Sequence, residues 1–480
     1  MLWTGSDDGL VHISRNDGGS WDDVTPKGAP EWATVVAIEA SRFDAGTAYV
    51  VFDAHRLDDE TPYIWKTTNY GYTWIDLSRD LDSETYLKMI REDTKKEGLL
   101  FLGTERGVMV SHNGGTKWES LRLNMPTVAI ADLAVAGDDL IVGSLGRAAY
   151  ALDDLTPLRE MSSDIENEAA YLFKPLDGIR WIYSSGQEGG DSGSTSNPDR
   201  GVTVTYYLGE EPEDDISLEI LNDAGDVIRT LTSIVPEPYL APYHPDARVG
   251  QESSADLTKN EGLNRAPWNL THEGATEIQG STNDAGRVNF GPMVTPGEYT
   301  ARLVVGGEMV EQDFSVLPDP RSDAPIENLR IQNAFLLAVR DRISAVSEDA
   351  IRIRAVRDQL EAHHARLEDD PTAARLVTLG EEALGALREV DLVLYNPDAK
   401  VNYDILRGEH GGAKLYSRYG WLYGSSIDHK GPPTQGMSEV DAELIAIYEE
   451  AKVELERILS EDIGRINSLA SELGVDYVVN

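Results

Sequence analysis

The chain has 480 residues, more than one hydrophobic core normally serves, so its length predicts about three domains. Its 84 acidic residues against 42 Lys and Arg give a formal charge of −42, which excludes nucleic acid and anionic membranes as partners. The absence of cysteine excludes disulfides, thiol nucleophiles and Cys-ligated metals. This acidity is typical either of an ordinary secreted protein or of a surface adapted to high salt.

A short element recurs in the N-terminal region at a period of about 45–50 residues. Its copies span 14–21, 67–74 and 111–118, and each follows an alternating apolar run. The pattern predicts β-hairpins with polar turns, in which Asp or Asn accepts amide hydrogen bonds, Gly supplies a positive φ and a closing Trp covers the hairpin. The residues given these roles are Ser14, Asp17, Gly19, Trp21, Asn69, Gly71, Trp74, Asn113, Gly115 and Trp118.

This element resembles the Asp box of sialidase-type and sortilin-type β-propellers. A catalytic or calcium-binding role for Asp17 is the alternative, but the resemblance implies that the turns lie on the outer rim and are structural. The strand-like runs of residues 1–157 correspond to about three blades, whereas propellers usually need 4–8. We therefore expect these residues to be the C-terminal blades of a partial propeller. Truncation at the N-terminus is favoured over completion of the ring by another chain.

The segment 139–155 resembles the last blade of large bacterial sortilin-like proteins that are often labelled glycosyl hydrolase. The resemblance implies that Arg147 faces the channel side of that blade. There Arg147 either binds an anion or pairs with a neighbouring acidic residue, and the pairing is favoured.

The amino-acid composition changes in the middle of the chain. Residues 158–200 contain a Gly- and Ser-rich stretch and are predicted to be a linker and loop. Short strands separated by turns in residues 201–320 predict a β-sandwich, and the motifs around Trp268 and Tyr299 resemble a fibronectin-like or Ig-like module. Both aromatic residues are expected in its core.

From residue 321 to residue 480 the apolar period changes to that of helices, which predicts a C-terminal helical bundle. Asp323 and Ser438 are predicted helix caps, and Gly474 a helix stop. The whole chain is thus predicted to be multidomain, mainly β and then α.

An aromatic stretch precedes the last predicted helix. Its side chains either contact a carbohydrate or protein ligand or fill the bundle, and the second interpretation is favoured. The aromatic residues are Tyr416, Tyr419, Trp421 and Tyr423.

Motifs that identify a catalytic centre are missing from the sequence. The nine histidines have no metal-ligand spacing, and no nucleophile elbow, Walker loop or dinucleotide fingerprint occurs. We therefore predict no metal and no cofactor. Carboxylate pairs for glycoside hydrolysis are guaranteed by chance among 84 acidic residues, so their presence has no weight.

Two functions fit these observations. The favoured one is a non-catalytic binding or scaffold protein that recognises a protein, a peptide or a glycan. The alternative is a sialidase-like glycoside hydrolase whose catalytic residues lie mostly in missing N-terminal blades. The family resemblance implies an extracellular or periplasmic location, and the sequence leaves the oligomeric state open.

Overall fold

The computed structural model describes residues 1–182, 199–235, 255–278, 288–367, 370–396, 412–427, 429, 431–475 and 479. The chain forms two compact units, Met1–Asn167 and Glu168–Asn480, called the β unit and the C-terminal unit below. Strands dominate the first part of the chain and helices the last part, so the predicted order, mainly β and then α, is confirmed.

The β unit, all of whose residues are described, contains four consecutive antiparallel sheets. Sheet 1 consists of β1 (Leu2–Gly5), β2 (Val11–Ser14) and β3 (Asp22–Asp23). Sheet 2 consists of β4 (Thr34–Ala40), β5 (Ala48–Asp53), β6 (Tyr63–Thr67) and β7 (Ile75–Asp76). Sheet 3 consists of β8 (Leu87–Glu92), β9 (Leu100–Thr104), β10 (Val108–Ser111) and β11 (Glu119–Ser120). Sheet 4 consists of β12 (Ile130–Ala136), β13 (Asp139–Ser144) and β14 (Ala149–Leu152).

Each sheet packs face to face on the next, with an apolar cluster between them. All residues of β5 are buried because sheet 2 is covered on both faces, and this is why its sequence is continuously apolar from Ala48 to Phe52 rather than alternating. Face-to-face stacking of consecutive antiparallel meanders is the arrangement of propeller blades.

Since the strands alternate in direction, the connections lie at two opposite edges of the sheets. One edge, called the box edge, carries the recurring turns 14–21, 67–74 and 111–118 together with the connections 41–47, 93–99 and 137–138. The other edge, called the loop edge, carries the remaining connections between neighbouring strands and sheets. These are 6–10, 24–33, 54–62, 77–86, 105–107, 121–129 and 145–148.

A short helix, α1 (Thr156–Glu160), follows sheet 4 and is held by a buried ion pair. Arg159 Nε and Nη2 donate to Asp93 at 3.1 and 2.8 Å, and Arg159 also pairs with Asp138. The Asp93 side chain is fully buried. Burial raises its pKa, but the hydrogen bonds from Arg159 and two backbone amides outweigh burial and hold the pKa below its usual range.

The described strands of the C-terminal unit form two larger sheets and one hairpin. The first sheet, in spatial order, is β15 (Ala170–Leu172), β17 (Val202–Leu208) and β20 (Gly262–Trp268). The second is β16 (Gly178–Arg180), β24 (Glu308–Pro318), β23 (Gly297–Val305), β18 (Ser217–Leu221) and β19 (Val227–Thr232). The hairpin is β21 (Thr271–Glu273) and β22 (Phe290–Met293).

The two larger sheets share one apolar core. Trp268 and Tyr299 lie in it as predicted, with ring centroids 5.8 Å apart. Strands β15 and β16 lie in the region predicted to be a linker. The sequence did not predict them because each is short and gains its stability only by pairing with β17 or β24. Most of the Gly- and Ser-rich stretch lies outside the described residues.

The helices pack around a second core in the C-terminal unit. They are α2 (Ile326–Leu367), α3 (Ala374–Leu394), α4 (Leu415–Ile427), α5 (Gln435–Arg457) and α6 (Ile463–Leu473). The predicted cap at Ser438 is wrong, since Thr434 Oγ1 accepts the Met437 amide and α5 begins one turn earlier. Gly474 ends α6 with a φ of 64°, as predicted. Among the described helices, none combines the length and apolarity needed to cross a bilayer.

Replacing Arg159 by Met should lower the free energy of unfolding of the β unit by about 3 kcal/mol, because Asp93 would remain buried without its partner. Arg106→Met is the matched control, since Arg106 is 52% exposed, and we expect a change below about 1 kcal/mol. The difference in free energy of unfolding between wild type and Arg159→Met should narrow below about pH 4. A carboxyl group with a depressed pKa stabilises the fold fully only above the pKa that it has in the unfolded chain, and this stabilisation is lost as the pH falls through the folded-state pKa. Urea denaturation at several pH values measures this, and equal losses in both variants would contradict it.

Candidate functional site

The three recurring turns share one hydrogen-bond pattern. In each turn a hydroxyl oxygen accepts the amide of the residue four positions later, at 2.8 or 2.9 Å. An Asn Oδ1 accepts a second amide at 2.9 Å, again four positions later. The acceptors are Ser14, Thr67 and Ser111 for the first bond and Asn16, Asn69 and Asn113 for the second.

The first turn differs from the assignment made on the sequence. Asn16, not Asp17, is the amide acceptor, and Gly18, not Gly19, corresponds to Gly71 and Gly115. Asp17 is exposed and takes a φ of 54°, a conformation that its short polar side chain tolerates. Aligning the copies on the hydroxyl residue and the closing Trp would have found Asn16, since that spacing is the same in all three.

The closing Trp residues of sheets 2 and 3 bind the preceding sheet. Trp74 Nε1 donates to the Val24 carbonyl at 2.7 Å, and Trp118 Nε1 donates to the Leu77 carbonyl at 3.2 Å. The turn glycine fits against the same residue, since a Cβ on Gly71 would lie 2.6 Å from Val24 Cβ. Trp21, the equivalent residue of sheet 1, remains 43% exposed.

The other residues that the sequence singled out lie in different environments, some exposed and some buried. Arg147 is exposed in the loop-edge connection of sheet 4 and forms no ion pair with the described residues. Tyr416, Tyr419 and Tyr423 are buried in the helical core, at 2% exposure or less. Trp421, on the same helix, is 51% exposed.

Two large apolar side chains stand out at the loop edge. Trp32 is 70% exposed and Leu123 is 68% exposed. Both have a left-handed backbone, with φ of 61° and 45°, which is a rare and costly conformation for bulky side chains. Sequence analysis missed both residues because neither belongs to a motif.

A polar cluster joins sheets 2 and 3 at the same edge. The Asp53 carboxylate accepts His55 Nδ1 and Lys88 Nζ, both at 2.6 Å. The His55 ring stacks on Tyr86, with centroids 4.5 Å apart. Burial raises the pKa of Asp53, but the hydrogen bonds from Lys88 and His55 outweigh burial and lower the pKa below its usual range. The carboxylate thus orients the imidazole, whose side chain is 31% exposed, through its Nδ1.

A second polar cluster lies where the first strands of sheets 2 and 3 end. Glu39 Oε1 accepts the Glu92 amide at 3.3 Å, and Arg91 lies 3.7 Å from Glu39. Glu92 is 3% exposed, and its Oε2 has no hydrogen-bond partner among the described residues. Burial raises the pKa of Glu39, and the Glu92 carboxylate adds to this effect. Within the described residues, no three His, Asp or Glu side chains form a group suited to a metal ion.

Comparison with known proteins gives no family. No protein-family model and no curated protein matches the chain. Solved structures that align with it include PorZ of Porphyromonas gingivalis, with 12% identity over 64% of this chain and 35% of PorZ and a TM-score of 0.24. A GH74 xyloglucanase from Xanthomonas campestris aligns with 11% identity over 63% of this chain and 46% of the enzyme, with a TM-score of 0.26.

YCF48 bound to a D1 peptide aligns with 11% identity over 65% of this chain and 76% of YCF48, with a TM-score of 0.24. The chain spans less than half the length of PorZ and of the xyloglucanase.

Replacing Trp118 by Phe should lower the free energy of unfolding of the β unit by about 1–3 kcal/mol, because the Leu77 carbonyl would lose its donor while remaining buried. Trp21→Phe is the matched control at the equivalent exposed position, with an expected change below about 0.5 kcal/mol. Urea denaturation at low ionic strength measures both variants. Equal destabilisation would show that the Trp118 contact does not hold sheet 3 on sheet 2.

Proposed function

We propose that this chain is a non-catalytic binding protein and that the loop edge of the β unit is its ligand-binding surface. The observation that carries the proposal is the exposure of Trp32 and Leu123 on a left-handed backbone. Such strain persists where the surrounding structure enforces it, and it concentrates at ligand-binding sites. An exposed Trp also offers a large apolar area at low entropic cost.

The chemistry of the edge favours a protein or a peptide as the ligand, with a glycan as the alternative. Leu123 suits an apolar side chain better than a sugar ring, whereas Trp32 suits both. The imidazole of His55 and the guanidinium of Arg147 add a hydrogen-bonding and a cationic group to the same edge. By contrast, the hydroxyl and Asn acceptors of the recurring turns at the box edge use their hydrogen bonds within the turns.

The same proposal assigns roles to the other parts of the chain. The three turns act as structural Asp boxes of a partial β-propeller, supported by their shared hydrogen bonds. The two sheets around Trp268 act as a fibronectin-like or Ig-like accessory module, and the helices form a bundle beside them in sequence. An extracellular or periplasmic location fits such a binding protein.

A glycoside hydrolase is the second candidate, and Glu39 with Glu92 is the observation in its favour. A raised carboxyl pKa beside a second carboxylate is the arrangement that a general acid needs. Two features oppose it. Arg91 pairs with Glu39, and Glu92 is almost completely buried, so neither carboxyl group is well placed to contact a sugar.

Replacing Trp32 by Gly should abolish ligand binding without loss of stability. The left-handed conformation costs a residue with a Cβ about 1–2 kcal/mol, and glycine removes this cost. The greater freedom of glycine in the unfolded chain lowers stability by about 0.5–1 kcal/mol, so no net loss is expected. Ligands selected from a random peptide display library and a glycan array should bind at least tenfold more weakly in titration calorimetry. Tyr72→Ala, equally exposed at the box edge, is the matched control and should bind normally. Ligands that tolerate both Trp32→Gly and Leu123→Gly would place the site elsewhere.

The hydrolase candidate is tested by reducing-sugar release from a panel of plant, bacterial and animal polysaccharides. We expect the wild-type chain to release none. Release that disappears in Glu39→Gln while binding to the same polysaccharide persists would favour the hydrolase over the binding protein. Glu105→Gln, a loop-edge carboxyl group paired with Arg106, is the control for nonspecific effects of charge.

A further inference from the structure

The charges of the loop edge are unevenly distributed along it. Its first four connections in chain order, which end at residue 86, contain nine acidic residues and three Lys or Arg. Its last three connections, which are 105–107, 121–129 and 145–148, contain one acidic residue and three arginines. That acidic residue, Glu105, is already paired with Arg106 at 3.0 Å. The last three connections are therefore net positive on a chain whose formal charge is −42.

The other two arginines of these connections have no carboxylate partner among the described residues. Arg122 Nε donates to the Met125 carbonyl at 3.1 Å, and its Nη1 donates to Thr127 Oγ1 at 3.0 Å, so neutral acceptors hold this guanidinium. Arg147 is exposed and forms no ion pair with the described residues. The positive charges of both arginines are thus left without a local counter-charge.

Two exposed leucines accompany these arginines. Leu123 is 68% and Leu145 is 58% exposed. The Leu145 amide donates to the Ala129 carbonyl at 2.8 Å, which joins the connection 145–148 to the connection 121–129. The four side chains Arg122, Leu123, Leu145 and Arg147 are together called the Leu–Arg patch.

The Leu–Arg patch suits a ligand that has an acidic group beside an apolar one. Guanidinium groups bind carboxylates through charge-assisted hydrogen bonds, and apolar neighbours strengthen such bonds by excluding water. The distant acidic residues of the chain oppose this less than the net charge suggests, because physiological salt screens charges beyond about 8 Å. A neutral sugar would leave both arginines without a counter-charge. An anionic membrane would bring its headgroups against the nine acidic residues of the same edge.

We propose that the Leu–Arg patch binds a carboxylate of a peptide ligand, with a neighbouring apolar side chain of the peptide on Leu123 and Leu145. This inference rests on the proposed function, since it specifies the class of ligand that the loop edge recognises. It also sets the direction of the peptide. The acidic group lies over the last three connections, and a basic or neutral part of the peptide faces the acidic connections around Trp32.

The test starts from a synthetic library of random octapeptides with free carboxyl termini, from which binders are selected on the full chain. We expect the selected peptides to have a carboxylate beside an apolar residue. Arg147→Glu should raise their dissociation constants at least about tenfold in titration calorimetry, because attraction becomes repulsion. Arg42→Glu, at an exposed position of the box edge, is the matched control and should bind normally.

Changing the peptide identifies the group that is bound. Replacing an acidic side chain by its amide, or the terminal carboxylate by a carboxamide, should weaken binding to wild type more than binding to Arg147→Gln. The two replacements distinguish a side-chain carboxylate from a terminal one.

Three results would overturn the inference. Peptides that lose affinity in Trp32→Gly but bind Arg147→Glu normally would contradict it and leave the proposed function intact. A selection that yields no peptide dependent on Trp32 or Leu123 would count against both. Binding of anionic phospholipid vesicles that is lost in Arg147→Glu, without binding of any peptide, would identify a membrane as the occupant instead.

Discussion

The β unit depends on the contacts that the recurring turns of sheets 2 and 3 make with the sheets before them. Two hydrogen bonds within the turn fix its backbone, and the glycine lets the turn approach the preceding sheet closely. The indole Nε1 donates to a backbone carbonyl directly after the last strand of that sheet. Sheets as narrow as these cannot bury their apolar faces alone. These turns therefore fix how sheet 2 packs on sheet 1 and how sheet 3 packs on sheet 2.

Because the box edge holds the stack together, the opposite edge is free to vary. The loop edge has connections of unequal length, exposed Trp32 and Leu123 on a strained backbone, and an imidazole oriented by Asp53. A rigid scaffold with irregular loops at one edge is a common design for ligand recognition. The buried pair of Arg159 with Asp93 completes the scaffold by fixing the segment that follows sheet 4.

Local patterns predicted the turns, most strands of the C-terminal unit and the long helices. The stripe from Leu336 to Leu360 is buried in α2 as its helical period indicates. Errors arose where neighbours in sequence compete for one role, as Asp17 and Asn16 do. The polar clusters could not be predicted from the sequence, because Asp53 and Lys88 are 35 positions apart and Arg159 and Asp93 are 66 apart. Only the stacking of sheets brings these residues together.

Hydrogen exchange of the indole Nε1–H groups, measured by NMR at low ionic strength, tests the central claim most directly. If the turns hold the sheets together, the protons of Trp74 and Trp118 should exchange only when the stack opens, whereas the proton of Trp21 should exchange rapidly. Rapid exchange at Trp118, at the rate found for Trp21, would contradict the account.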